Sequence, residues 1–123
     1  MIPDDVRRFI LTSIPSVPHI EALLLMRREP QEAWSKQRIA PRLYISEEKA
    51  SELLNELANA GFISAEAGNV PIYRYASSGA QSKMADQVVD AYARSLVEVT
   101  NMIHGRSVAR VQQFAEAFRF RKD

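Results

Sequence analysis

Two histidines and no cysteine are the whole supply of soft metal ligands and thiol nucleophiles in this 123-residue chain. His19 and His104 stand far apart in the sequence, a poor start for a zinc site. His104 precedes Gly105 and reads as a residue near a helix C-terminus, where an imidazole meets exposed carbonyls. No spacing in the sequence places a base beside a serine nucleophile. There is no glycine-rich loop to cradle a phosphate and no Gly-x-Ser-x-Gly turn. The chain therefore reads as a protein without catalytic site, cofactor or metal, whose chemistry is that of a binding surface.

Composition supports an ordinary globular chain, with 46% hydrophobic and 25% charged residues. Sixteen Lys and Arg against 15 Asp and Glu leave a formal charge of +1, so no whole-molecule field points to nucleic acid or to a membrane, and any electrostatic argument is local. The longest apolar run, Ala22 to Met26, is far below the roughly 18 residues of a membrane span. Asp4 and Asp5 stand where a signal peptide would be basic. A cytoplasmic protein with no membrane contact is expected.

The elements follow from caps and periodicity. A first helix is expected from Asp4 to Thr12, with Val6, Phe9 and Ile10 on one face and two aspartates at its positive end. Ser16 can cap a second helix that tolerates Pro18 in its first turn and has Ile20 through Met26 as its apolar body. Ser35 can cap a short third helix carrying Ile39 and Leu43 inward, kinked or shortened by Pro41. Ser46 caps a fourth, whose Ala50, Leu53, Leu54 and Leu57 fall at the i, i+3, i+4, i+7 spacing of a buried face. Gly61 ends it through a left-handed conformation. Phe62 and Ile63 then begin an extended segment, Ala67-Gly68-Asn69 supplies a turn, and Ile72 to Tyr75 returns as the second strand of a β-hairpin. Trp34 reads as a packing residue that can add a short third strand. The expected core joins Ile20, Leu23, Leu24, Ile39, Leu43, Leu53, Leu54 and Leu57.

After a short linker at Ser77 to Ala80, the chain runs 24 residues without proline or glycine before Gly105, which predicts one long helix. Within it Ala85, Val89, Tyr92, Leu96, Val99 and Ile103 are spaced 4, 3, 4, 3, 4, the alternation of a coiled-coil seam. A seam of this length must be covered. The first helix is too short to do so, which favours a second copy of the chain and makes these six residues the expected dimerisation stripe. Ser107 can cap a last helix with Val111, Phe114, Ala115 and Phe118 on one side and basic residues at its end.

The order helix, helix, helix, hairpin over residues 17 to 75 resembles a winged helix-turn-helix. The run from Ile39 to Ile63 is similar to the MarR-like group of bacterial regulators: a short helix ends in an apolar residue and a serine, a leucine-rich helix follows, and Gly61-Phe62-Ile63 leads into the wing. The resemblance implies a mostly α fold with a small hairpin wing, a winged-helix domain over residues 1–76 and a helical dimerisation region over 77–123. It also implies a homodimer that regulates transcription on double-stranded DNA. It makes Ser46 to Ala60 the recognition helix, with Glu47, Lys49, Ser51, Glu52 and Asn55 towards the major groove. Ser51 and Asn55 would contact bases, while Arg38 and Arg42 before that helix and Arg74 in the wing would contact phosphates. From Ser46 to Phe62, however, one lysine faces four glutamates, a net −3, whereas phosphates draw Lys and Arg. The alternative is therefore a winged-helix module that binds a protein partner, not DNA. No effector or operator is identified by the sequence.

Overall fold

Serine hydroxyls start the two central helices. Ser35 Oγ accepts from the Arg38 N–H at 3.2 Å and Ser46 Oγ from the Lys49 N–H at 3.1 Å, each satisfying an amide that the helix itself leaves unpaired. The computed structural model describes residues 2–76 and 78–105. They form α1 (Asp4–Ser13), α2 (Val17–Arg28), α3 (Lys36–Leu43), α4 (Glu47–Asn59), β1 (Ile63–Glu66), β2 (Ile72–Tyr75) and α5 (Gly79–Arg94). Residues 96–105 are helical again and are labelled α6. The helix expected from Ser107 lies outside the described residues. Among the described residues no single helix is long and apolar enough to cross a membrane.

The exit from α4 matches the expectation for Gly61. Its φ is +87°, its N–H reaches Ala58 O at 3.0 Å, and the Phe62 N–H reaches Leu57 O at 3.1 Å, so the last carbonyls of the helix are capped by a left-handed turn. The turn between α3 and α4 also passes through the left-handed region, at Tyr44 with φ 56° and ψ 43°. An L-residue bears a cost of about 1–2 kcal/mol there. The phenol ring is 95% exposed.

The two strands pair antiparallel in the register Ile63 with Tyr75 and Ala65 with Tyr73. Trp34 adds a one-residue third strand, exchanging backbone hydrogen bonds with Tyr73 at 2.8 Å in both directions. Its ring is fully buried in a core built from Leu23, Met26, Ile39, Leu53, Leu54, Leu57, Phe62 and Tyr73. Leu24 and Leu43, expected in that core, are only half-buried.

A second core differs from the sequence expectation. Ile2, Val6, Ile10 and Ile14 recur every four residues along and beyond α1, and they pack with Ile20, Val88, Ala91, Tyr92, Val99 and Ile103. The single long helix is in fact two, broken at Ser95, whose φ −134° and ψ 50° are not helical. Residues on both sides of the break share this core with α1 and Ile20 of α2. The stripe expected to face a second copy is thus largely covered within the chain. Ala85, Tyr92, Val99 and Ile103 are buried, and Val89 is half-buried. Leu96, at 51%, and its neighbour Val97, at 71%, remain exposed. Arg7 ties α1 to α6 through Glu98 at 2.8 Å.

Ile10→Ala is expected to cost about 2–5 kcal/mol, as large-to-small changes in a packed core do. Leu96→Ala should cost less than about 0.5 kcal/mol as an exposed change. Chemical denaturation of both variants measures the difference.

Tyr92 links α5 to α2 by donating to Glu21 Oε1 at 2.5 Å. Burial, with that hydrogen bond and the carboxylate charge, pushes its phenol up from 10.0 to about 12. The unfolded chain releases this proton near the ordinary value, whereas the fold holds it longer. The stabilisation is therefore complete below the ordinary value and is lost as pH rises through the folded one. Between the two, the thermal midpoint of wild type should fall more steeply with pH than that of Tyr92→Phe.

Candidate nucleic-acid interface

α4 is amphipathic by construction. Ala50, Leu53, Leu54 and Leu57 are buried against α2 and α3, which leaves Glu47, Glu48, Lys49, Glu52, Asn55 and Glu56 exposed and Ser51 half-buried. α3 crosses behind it and the hairpin follows it, so a helix-turn-helix with a wing presents one polar helical face outward.

The structure separates the expected contact residues into two groups. Arg42 and Lys49 are exposed, as is Lys36 at the start of α3. Among the described residues none of these three forms an ion pair. Arg38 and Arg74, though 45% and 40% exposed, are engaged by contacts within the chain. Arg38 stacks 4.2 Å above the Trp34 ring, pairs with Glu32 at 3.0 Å and donates to Ala33 O at 2.6 Å. Arg74 pairs with Glu66 across the hairpin at 2.6 Å and donates to Gln31 O at 2.6 Å. Both guanidiniums brace the wing and the loop before α3, a use that their spacing in the sequence does not reveal. Arg42 lies 5.7 Å from the centre of the same Trp34 ring.

Asn55 is also engaged. Its Oδ1 accepts from the buried Tyr73 phenol at 2.7 Å, joining α4 to the wing. The amide orientation is thereby set, and the Nδ2 hydrogens are left as the groups offered outward. The carboxylates of Glu47, Glu48 and Glu52 form no ion pair among the described residues. Glu47 and Glu48 sit in the first turn, where the positive end of the helix dipole favours them.

The fold does bring a base to a serine, which the sequence reading did not find. Ser16 precedes α2 but its hydroxyl does not cap the helix. Instead Ser16 Oγ and His19 Nδ1 share a hydrogen bond of 2.6 Å, and His19 Nε2 lies 3.4 Å from Glu56 Oε1. The chain of contacts fastens the start of α2 to α4. A recess of about 230 Å3 beside it is lined by Pro18, Ile45, Lys49 and Leu53 among others. The Ser-x-x-His spacing is visible in the sequence, but Glu56 is 37 residues further on and only the packing of α2 on α4 makes it a neighbour.

No protein-family model and no curated protein sequence matches the chain. Among solved structures, the adhesin competence repressor from Streptococcus pyogenes is similar, with a TM-score of 0.51 over 94% of this chain and 90% of that one. The identity is 13%. The likeness establishes the fold, a winged helix that is mostly α with a two-stranded wing.

Tyr73→Phe removes the tie between α4 and the wing while keeping the buried ring. It is expected to cost about 0.5–1.5 kcal/mol, the net value of an ordinary hydrogen bond, in urea denaturation.

Proposed function

We propose that the protein is a transcriptional regulator that binds duplex DNA as a homodimer in the cytoplasm, with α4 in the major groove. The observation that carries this reading is the outward polar face of α4, flanked by the unpaired cations Lys36, Arg42 and Lys49, on a fold shared with a protein named a repressor. Arg42 and Lys49 supply phosphate contacts. Arg38 and Arg74 add less to them, because Glu32 and Glu66 already offset their charge. Ser51 and Asn55 read bases. With Oδ1 committed to Tyr73, Asn55 offers Nδ2 to a base acceptor in place of the two-point pairing with adenine.

On this reading residues 1–76 carry the DNA-binding function and 77–123 the contact between subunits. Leu96 and Val97, exposed at the start of α6, are the apolar surface offered to a second copy, with Val89 beside the buried Ala85, Tyr92, Val99 and Ile103 that support it from within. The second reading, a module for a basic protein partner, is favoured by one observation, the unpaired carboxylates of Glu47, Glu48 and Glu52 on the same helix.

Titration of a random-sequence duplex at several salt concentrations decides between them. DNA binding predicts a dissociation constant of about 10⁻⁴–10⁻⁶ M at physiological salt, and Arg42→Ala or Lys49→Ala should each lower the salt slope by about one. Absence of a complex at low salt and tens of micromolar protein would overturn the DNA reading.

A further inference from the structure

Tyr44 is unfavourable to this fold in two independent ways. Its backbone lies at φ 56° and ψ 43°, a conformation that glycine adopts freely and that Cβ makes costly for other residues. Its ring is 95% exposed, so burial within the chain does not offset that cost. The turn itself is well held. The N–H groups of both Tyr44 and Ile45 point to Ala40 O, the latter at 3.1 Å, and Ile45 packs against the core. The ring is thus displayed from a fixed base. Strain coupled to a displayed aromatic side chain marks a position kept for contact with something outside the fold.

The position indicates what that contact is. Tyr44 lies between Arg42 and the cap Ser46, at the end of α4 that enters the groove when a helix-turn-helix meets DNA. The first turn of α4 carries Glu47 and Glu48 beside Lys49, so its carboxylates outnumber its one cation and a neutral donor suits a phosphate there. A phenol is a neutral donor. Its O–H can donate to a phosphate oxygen while the ring lies against the deoxyribose. We propose that Tyr44 is a neutral anchor for the DNA backbone, which fixes the α3–α4 turn at the edge of the groove. The proposal rests on the DNA-binding reading above.

A neutral donor displaces no condensed counterion, so its removal lowers affinity at every salt concentration without changing the salt slope. This separates it from Arg42. The full-length chain and its Tyr44→Gly, Tyr44→Phe and Arg42→Ala variants can be titrated against one random-sequence duplex by fluorescence anisotropy over a range of salt, with the thermal midpoint of each recorded. Tyr44→Gly is expected to bind about tenfold more weakly with the wild-type slope, the loss of about one hydrogen bond with its packing. Its thermal midpoint should be equal to or above wild type. Tyr44→Phe should lose only part of that affinity, and Arg42→Ala should flatten the slope. Wild-type affinity in Tyr44→Gly would overturn the proposal and leave the DNA reading standing. A lowered midpoint in Tyr44→Gly would show the ring to be structural, and a flattened slope would show that it acts through neighbouring charges; either overturns the proposal. A wild-type chain that binds no duplex overturns both.

Discussion

The exchange of backbone hydrogen bonds between Trp34 and Tyr73 is the joint on which the outward face depends. It places the Trp34 indole in the core and makes that ring the platform for Arg38. On the other side it holds the Tyr73 phenol within reach of Asn55. One pair of residues therefore connects the loop before α3, the return strand of the wing and the exposed side of α4. A hairpin of two four-residue strands is marginal alone. Here it is braced by the bridge, by Arg74 reaching Gln31 O, and by Phe62, whose ring meets Phe9 edge-on at 5.5 Å.

Much of this architecture is legible in the chain because it is encoded locally. Ser35 and Ser46 are read as caps and act as caps. Gly61 is read as a left-handed exit and adopts one, and the leucines of α4 are buried because their spacing admits no other helical face. Periodicity also finds the stripe from Ala85 to Ile103, but it does not say what lies on it. The expectation of a straight helix assumed that a stretch without proline or glycine has no break. Ser95 breaks it without either residue, and Val6 and Ile10 of α1, with Ile2, Ile14 and Ile20, then cover Tyr92, Val99 and Ile103 but leave Leu96 exposed.

The candidate interface is less legible because its residues have competing uses. Charge type alone does not distinguish an arginine that meets solvent from one that braces a wing, and Arg38 and Arg74 prove to be the latter. Their partners Glu32, Trp34 and Glu66 are close in sequence, yet Gln31, whose carbonyl Arg74 reaches, is 43 residues away and only the fold brings it near. Tyr44 was open to discovery from sequence through its position between a helix and a cap, where turn chemistry favours glycine. Its left-handed backbone turns an ordinary surface tyrosine into a residue that the fold alone does not account for.

The pairing of α1 with α5 and α6 sets the first residues of the described chain against the last. Ile2 and Val6 share a core with Val99 and Ile103, contacts that span nearly the whole described sequence. Such closures carry a larger loop entropy than the helix-turn-helix and wing, whose contacts are mostly between successive elements. The molecule thus has an order of assembly written into its topology. During synthesis the winged core can form while α1 still has its isoleucines uncovered, and that stripe stays open to wrong partners until α6 has emerged to meet it.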